Sequence, residues 1–159
     1  LIKQLKEDIN VVLIIDEAQN LSSKALEEVR MLSNLETEKE KLIQIILMGQ
    51  PQLRDKLKNA KLTQFKQRVA VQYHLSPLGR REVDEYISHR LKLAGSGSNG
   101  NGIFSPEALE LLYEYSGGIP RVINLVCDSA LLSGYTYEKR AITGDIIKEV
   151  IQERESDLS

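Results

Sequence analysis

The sequence predicts an α/β fold: a partial parallel sheet of three strands with crossover helices, followed by an all-α piece of four helices. Three observations carry this expectation. Up to about residue 76, apolar β-branched runs alternate with helical patterns. After Pro77 no strand-like run occurs. From there on, apolar residues recur at three- and four-residue spacing, the period of a helix face. Strand, helix, strand at these lengths implies parallel pairing with right-handed crossovers. The predicted division is residues 1–76, a partial α/β base, and residues 77–159, a helical unit.

Leu1, Ile2, Leu5 and Ile9 recur at helical spacing among Lys3, Lys6, Glu7 and Asp8, which predicts the end of an amphipathic helix. Val11 to Ile15 is a continuous apolar run and reads as a strand buried on both faces, the habit of a central parallel strand. Ser22 and Ser23 are N-cap candidates for a helix with the stripe Leu26, Val29, Leu32 and Leu35. Thr37 to Lys41 is a solvated turn, and Leu42 to Met48 a second strand stopped by Gly49-Gln50-Pro51. A short helical stretch leads to a third predicted strand, Val69 to Leu75, with His74 half-buried in it. Four helices follow. The first carries Val83, Ile87 and Leu91; the second opens on Ser105-Pro106, a capping serine and a first-turn proline. The third comes after Gly117-Gly118-Ile119-Pro120, and the fourth is capped by Thr143.

Composition narrows the function classes. The 159 residues are 42% hydrophobic and 28% charged, near the globular average and too apolar for disorder. The single Cys127 lies in an apolar run, reads as a core residue, and excludes a disulfide framework within the chain. A net charge of −2 gives no global drive toward polyanions. No apolar stretch approaches the ~20 residues that span a bilayer. His74 and His89 have no third ligand nearby in sequence, which argues against zinc. Gly95 to Gly100 matches the dinucleotide pattern G-x-G-x-x-G. A helix precedes it, where that mechanism needs a strand, so it reads as a loop.

Chemistry concentrates at strand ends. In an open parallel sheet, ligands sit beyond the carboxyl ends of the strands. Asp16 and Glu17 close the first strand there: either two acids that solvate a strand end, or one acid for a hydrated Mg²⁺ and one that orients an attacking water. Gln50 closes the second strand at the same edge. Arg121 stands in the first turn of a helix, where a cation opposes the macrodipole and gains nothing locally; an anionic ligand is one reason for it, solvation the other. Arg68 is surface charge or a group that reaches a neighbour's phosphates. Around it lie Arg54, Lys56, Lys58, Lys61 and Lys66 against the single acid Asp55, a solvated face or a nucleic-acid edge.

In order, Leu13-Ile14-Ile15-Asp16-Glu17-Ala18-Gln19, Leu47-Met48-Gly49-Gln50-Pro51, Gln67-Arg68-Val69, Ser76-Pro77-Leu78 and Gly118-Ile119-Pro120-Arg121 resemble the AAA+ ATPases of the general secretion pathway protein A type. The resemblance implies a P-loop NTPase sheet followed by an AAA+ lid, with ATP and Mg²⁺ as ligands. By position, Asp16 matches the Walker B metal acid and Glu17 the catalytic acid. Gln50 matches the first sensor, Arg68 the arginine finger acting on a neighbouring copy, and Arg121 the second sensor in the lid. The family's grip on nucleotide is a loop G-x-x-x-x-G-K-[ST], and no Gly-Lys pair occurs in these residues. The expectation is therefore the second half of an AAA+ module, inactive alone. The resemblance implies further copies of itself and secretion or pilus assembly components as partners, in the cytoplasm, with any inner-membrane association made by regions outside this chain. A DNA-engaging helper ATPase of the transposition or replication-initiator type is the alternative, and a non-catalytic interaction module with the same fold is the third reading.

Overall fold

The computed structural model describes residues 10–35, 42–96 and 102–157. The helix expected over residues 1–9, the turn Thr37–Lys41 and most of the Gly95–Gly102 loop lie outside these residues. The chain divides into two compact units, Leu1–Tyr73 and His74–Ser159, each with its own apolar core.

In the first unit β1 (Val12–Ile15) pairs in parallel with β2 (Gln44–Leu47), in the register Val12↔Gln44 to Ile15↔Leu47. Helix α1 (Ser23–Leu32) lies between them in the chain. Its N-cap is Ser22, whose hydroxyl oxygen accepts the Ala25 N–H at 3.1 Å, a contact worth about 1 kcal/mol. Helices α2 (Pro51–Leu57) and α3 (Thr63–Arg68) follow β2. Leu26 and Val29 of α1, Leu53 and Leu57 of α2, Leu62 and Phe65 form the core with Ala18. Leu26 and Leu62 are almost wholly enclosed, and burial of such a side chain stabilises by about 1.5–3 kcal/mol.

Two expectations fail here. The first strand is not buried on both faces: Ile15, Ile45 and Leu47 pack on the core, while Val12, Ile14, Ile46 and Met48 are exposed. Strand residues alternate sides, and the core formed by α1, α2 and α3 takes only one side of the sheet. The third strand does not form: among the described residues the sheet has two strands. Val71, Tyr73 and Leu75 are 82%, 86% and 83% exposed, and His74, expected half-buried, is exposed with them. A strand exists by pairing, and among the described residues no backbone hydrogen bond ties residues 70–77 to another element.

The second unit holds the four expected helices: α4 (Arg80–Leu93), α5 (Pro106–Ser116), α6 (Pro120–Thr136) and α7 (Gly144–Asp157). The Ser105 hydroxyl accepts the Ala108 N–H at 3.1 Å and Pro106 opens α5, as their types require. Val83, Ile87, Phe104, Leu112, Ile123, Val126, Ile147 and Val150 converge in one core. Cys127 is part of it, and burial pushes its thiol up to about 12, with the Asp128 carboxylate adding to the effect.

That shift has a sign. The unfolded thiol ionises near 9.0 and the folded one near 12, so its contribution to stability is intact below about pH 9 and is lost as pH rises from there. Cys127 is expected to resist a disulfide reagent at pH 8 until the chain is unfolded in urea. Between pH 8 and 10 the urea midpoint of the wild-type chain should fall further than that of Cys127→Ala; an equal fall contradicts the buried thiol.

Candidate functional site

Parallel pairing delivers the carboxyl ends of β1 and β2 to one edge, and the ladder continues past both strands. The Met48 N–H donates to the Ile15 carbonyl at 2.9 Å, and the Ala18 N–H donates to the Met48 carbonyl at 2.9 Å. The chain leaving β1 is thereby stitched to the chain leaving β2. Asp16 and Glu17 stand at this edge, both exposed, and Ala18 behind them is completely buried.

Glu17 adopts the left-handed conformation, φ 51° and ψ 35°. For a residue with a side chain this costs on the order of 1–3 kcal/mol and persists only where its surroundings enforce it. The enforcing contacts are visible. The Glu17 N–H donates to Asp16 Oδ1 at 2.7 Å, and the Ala18 amide is held by Met48. The short helical turn Ala18–Asn20 follows at once. Lys56 Nζ, on α2, donates to the carbonyls of Gln19 and of Leu21, the latter at 2.8 Å, and so pins that turn from below.

Gln19 joins the two strand ends. Its amide nitrogen donates to Glu17 Oε2, and its Oε1 accepts the Gln50 N–H at 3.1 Å. The approach requires glycine at position 49, because a Cβ there would lie 2.6 Å from Gln19 Oε1. Gln50 occupies the N-cap position of α2, and its side chain makes no capping bond. A polar amide thus stands beside the acids without a structural duty.

The structure therefore brings Asp16, Glu17 and Gln50 together and adds Gln19, Gly49 and Lys56, whose roles sequence reasoning missed. Gln19 was legible as an amide two residues after Glu17; nothing in the sequence pointed to Lys56, which looked like one of a run of surface cations. Arg68 is the last residue of α3, and Arg121 the second residue of α6 in the other unit. Both are exposed, and neither has a salt-bridge partner among the described residues. Lys58 is occupied by Asp55 at 2.7 Å, and that contact holds the Asp55 carboxyl below its usual range. No group of three or more metal-ligating side chains occurs among the described residues. The donor set is instead one carboxylate, Asp16, with one oxygen committed to the Glu17 amide. That suits Mg²⁺, which keeps most of its waters and takes one or two protein carboxylates.

A family model described as an AAA domain matches residues 1–57. General secretion pathway protein A of Aeromonas hydrophila is 46% identical over 136 residues, which is 85% of this chain and 24% of that protein. The chain thus spans less than a quarter of that relative's length. Among solved structures, the RuvB Holliday junction branch migration motor of Thermotoga maritima superposes with a TM-score of 0.67 at 17% identity, covering 89% of this chain and 43% of that one. The Aeropyrum pernix ORC2 protein, in its ADPNP–ADP complexes, superposes with a TM-score of 0.69 at 15% identity, covering 95% of this chain and 41% of that one.

The strain at Glu17 is testable in urea. Glu17→Gly removes the left-handed penalty and is expected to leave stability unchanged or raise it by up to about 1 kcal/mol, the gain being offset by added freedom in the unfolded chain. Glu17→Val, β-branched in the same conformation, should lose about 1–2 kcal/mol. Equal stabilities for the two variants contradict the left-handed backbone.

Proposed function

We propose that this chain is part of an AAA+ ATPase of the general secretion pathway protein A type, and that its first unit supplies the metal-holding and water-orienting part of an ATP-hydrolysing site. The observation that carries the reading is the Gln19 carboxamide, which ties Glu17 to the Gln50 backbone at the carboxyl edge of the sheet. A carboxylate that merely solvated a strand end would need neither the strained backbone nor that tie.

The roles divide as follows. Asp16 holds the hydrated metal through its free oxygen. Glu17, fixed by Gln19, orients the attacking water and accepts its proton. The Gln50 amide reads the γ-phosphate side of the nucleotide, and Arg121 of the helical unit is a nucleotide contact in its own right. Arg68, exposed at the end of α3, serves a neighbouring copy in trans. Mg²⁺ with ATP supplies the phosphoryl group and neutralises charge on the leaving phosphates. The P-loop that grips ATP is provided by sequence outside these 159 residues, so the chain alone neither binds ATP tightly nor turns it over. The proposed driven process is assembly of a secretion or pilus apparatus, with components of that apparatus and further copies of the ATPase as partners; the name of the Aeromonas relative supports the secretion pathway alone. We place it in the cytoplasm, with any inner-membrane association made elsewhere in the protein; among the described residues no helix is long and apolar enough to cross a membrane.

One observation favours a second reading. With Lys56 bound to carbonyls and Lys58 to Asp55, Arg54, Lys61, Lys66 and Arg68 remain as exposed cations of the α2–α3 surface, a footprint available to DNA phosphates. Binding to duplex DNA that falls steeply with salt and weakens on charge reversal at Lys61 and Lys66 supports that partner; binding untouched by those changes removes it.

The ATPase reading is tested in a protein that joins this chain to its P-loop. Glu17→Gln should lower kcat by about 10²-fold or more with nucleotide binding retained, the loss typical of a missing general base. Gln19→Ala should cost about tenfold through mispositioning of Glu17. Mixing the Arg68→Ala and Glu17→Gln proteins should restore part of the activity that each lacks, because the Glu17→Gln copy lends its intact Arg68 to the Arg68→Ala copy, whose site keeps Glu17. If Arg68→Ala is silent while Glu17→Gln is dead, the trans role falls. ATP turnover by the 159-residue chain alone, abolished by Glu17→Gln, would overturn the need for an external P-loop.

A further inference from the structure

The second unit begins with a tether and ends that tether with a clamp. Residues 70–77 are exposed and form no helix or strand. The first backbone bond beyond them is the Leu78 N–H, which donates to the Gly118 carbonyl at 2.9 Å. From that point the chain is held repeatedly. Leu78 packs against the helical core. The Gly79 N–H donates to Glu82 Oε2 at 2.7 Å, a capping contact for α4. Arg80 pairs with Glu110 of α5 at 2.7 Å, pairs also with Asp84, and lies over the Tyr113 ring at 5.9 Å.

Gly118 is the other half of the clamp. Its φ of +75° lies in the left-handed region, and a Cβ on it would lie 2.0 Å from the Leu78 carbonyl oxygen and 2.9 Å from its carbon. No side chain fits there without moving backbone. The turn around it is internally bonded: the Gly118 N–H donates to the buried Ser116 hydroxyl at 3.2 Å, and the Ile119 N–H to the Ser116 carbonyl at 3.1 Å. Ile119 is the N-cap of α6, and Arg121 is the second residue of that helix. The place where the tether arrives and the place where Arg121 departs are therefore one bonded unit, three residues long on the α6 side.

We infer that Gly118 is a positioning residue for Arg121: its lack of a side chain allows the Leu78–Gly118 bond, which makes the end of the tether and the first turn of α6 move as one body. Replacing Gly118 does not remove a phosphate contact; it loosens the seat from which Arg121 makes one. This inference rests on the reading of Arg121 as a nucleotide contact.

The test has two readouts. Hydrogen exchange on the 159-residue chain should show the Leu78 amide protected, and Gly118→Ala should abolish that protection. In the P-loop-bearing protein, Gly118→Ala should raise KM for ATP about tenfold with kcat within about twofold, and should add nothing in an Arg121→Ala background. Gly117→Ala is the control for strain alone, since Gly117 is also left-handed at φ +55° but a Cβ there meets nothing within 4 Å; it should leave KM within about twofold. Should Gly118→Ala fail to fold, Leu78→Pro, which deletes the amide donor, is compared with Leu78→Ala, which keeps it; a rise in KM confined to Leu78→Pro supports the clamp, and equal effects overturn it. An exposed Leu78 amide with KM unchanged, in a protein where Arg121→Ala raises KM, also overturns the inference. If Arg121→Ala itself leaves KM unchanged, the nucleotide role of Arg121 fails instead, and the positioning role goes with it.

Discussion

The parallel register of β1 against β2 is the constraint on which the candidate site depends. With Ile15 opposite Leu47, the two chains leave the sheet together, and the bonds from Met48 to Ile15 and from Ala18 to Met48 hold them together for a further turn. A slip of β2 by one residue against β1 would send Ile45 and Leu47 to the exposed face and Ile46 into the core. It would also separate Gln19 from Gln50. The apolar pattern that chooses the core face thus chooses the partners of the acids as well.

Around that edge the molecule spends stability on geometry. Glu17 is held left-handed although it is neither glycine nor asparagine, and Gly49 leaves room for an amide where a side chain would add nothing but a clash. Lys56 gives up its place on the charged surface to satisfy two carbonyls of a turn. These costs are local, and the buried residues Leu26, Leu62 and Phe65, which share one core with Ala18, outweigh them. A strained acid on a firmly packed base is the arrangement expected of a group that must hold one direction when a ligand arrives.

The helical unit works differently. Its core is continuous, Ser105 caps α5, and left-handed backbone occurs at Glu138 and at the Gly117–Gly118 turn. There the close backbone approach of Leu78 joins the start of α4 to the start of α6. Arg121, which gains nothing from its helix dipole, stands three residues beyond that contact.

By itself the sequence determined the alternation of strand and helix, the change to helices after Pro77, the capping of α1 and α5, the burial of Cys127, and the placing of Asp16, Glu17 and Gln50 at strand ends. Each follows from local periodicity, a cap or a turn residue, interactions that reach only a few positions along the chain. It also suggested a strand over Val69–Leu75 and a strand buried on both faces, and both failed for one reason. A β-branched run states that a strand is affordable, but a strand is made by an edge to pair with and a layer to cover it. Only the tertiary structure decided which face of the sheet was covered, that Gln19 bridges residues 31 positions apart from its own, that Lys56 serves a turn rather than the surface, and that Gly118 lies against Leu78. Those contacts join residues distant in sequence, and no local pattern encodes a distance that the packing of the whole unit sets.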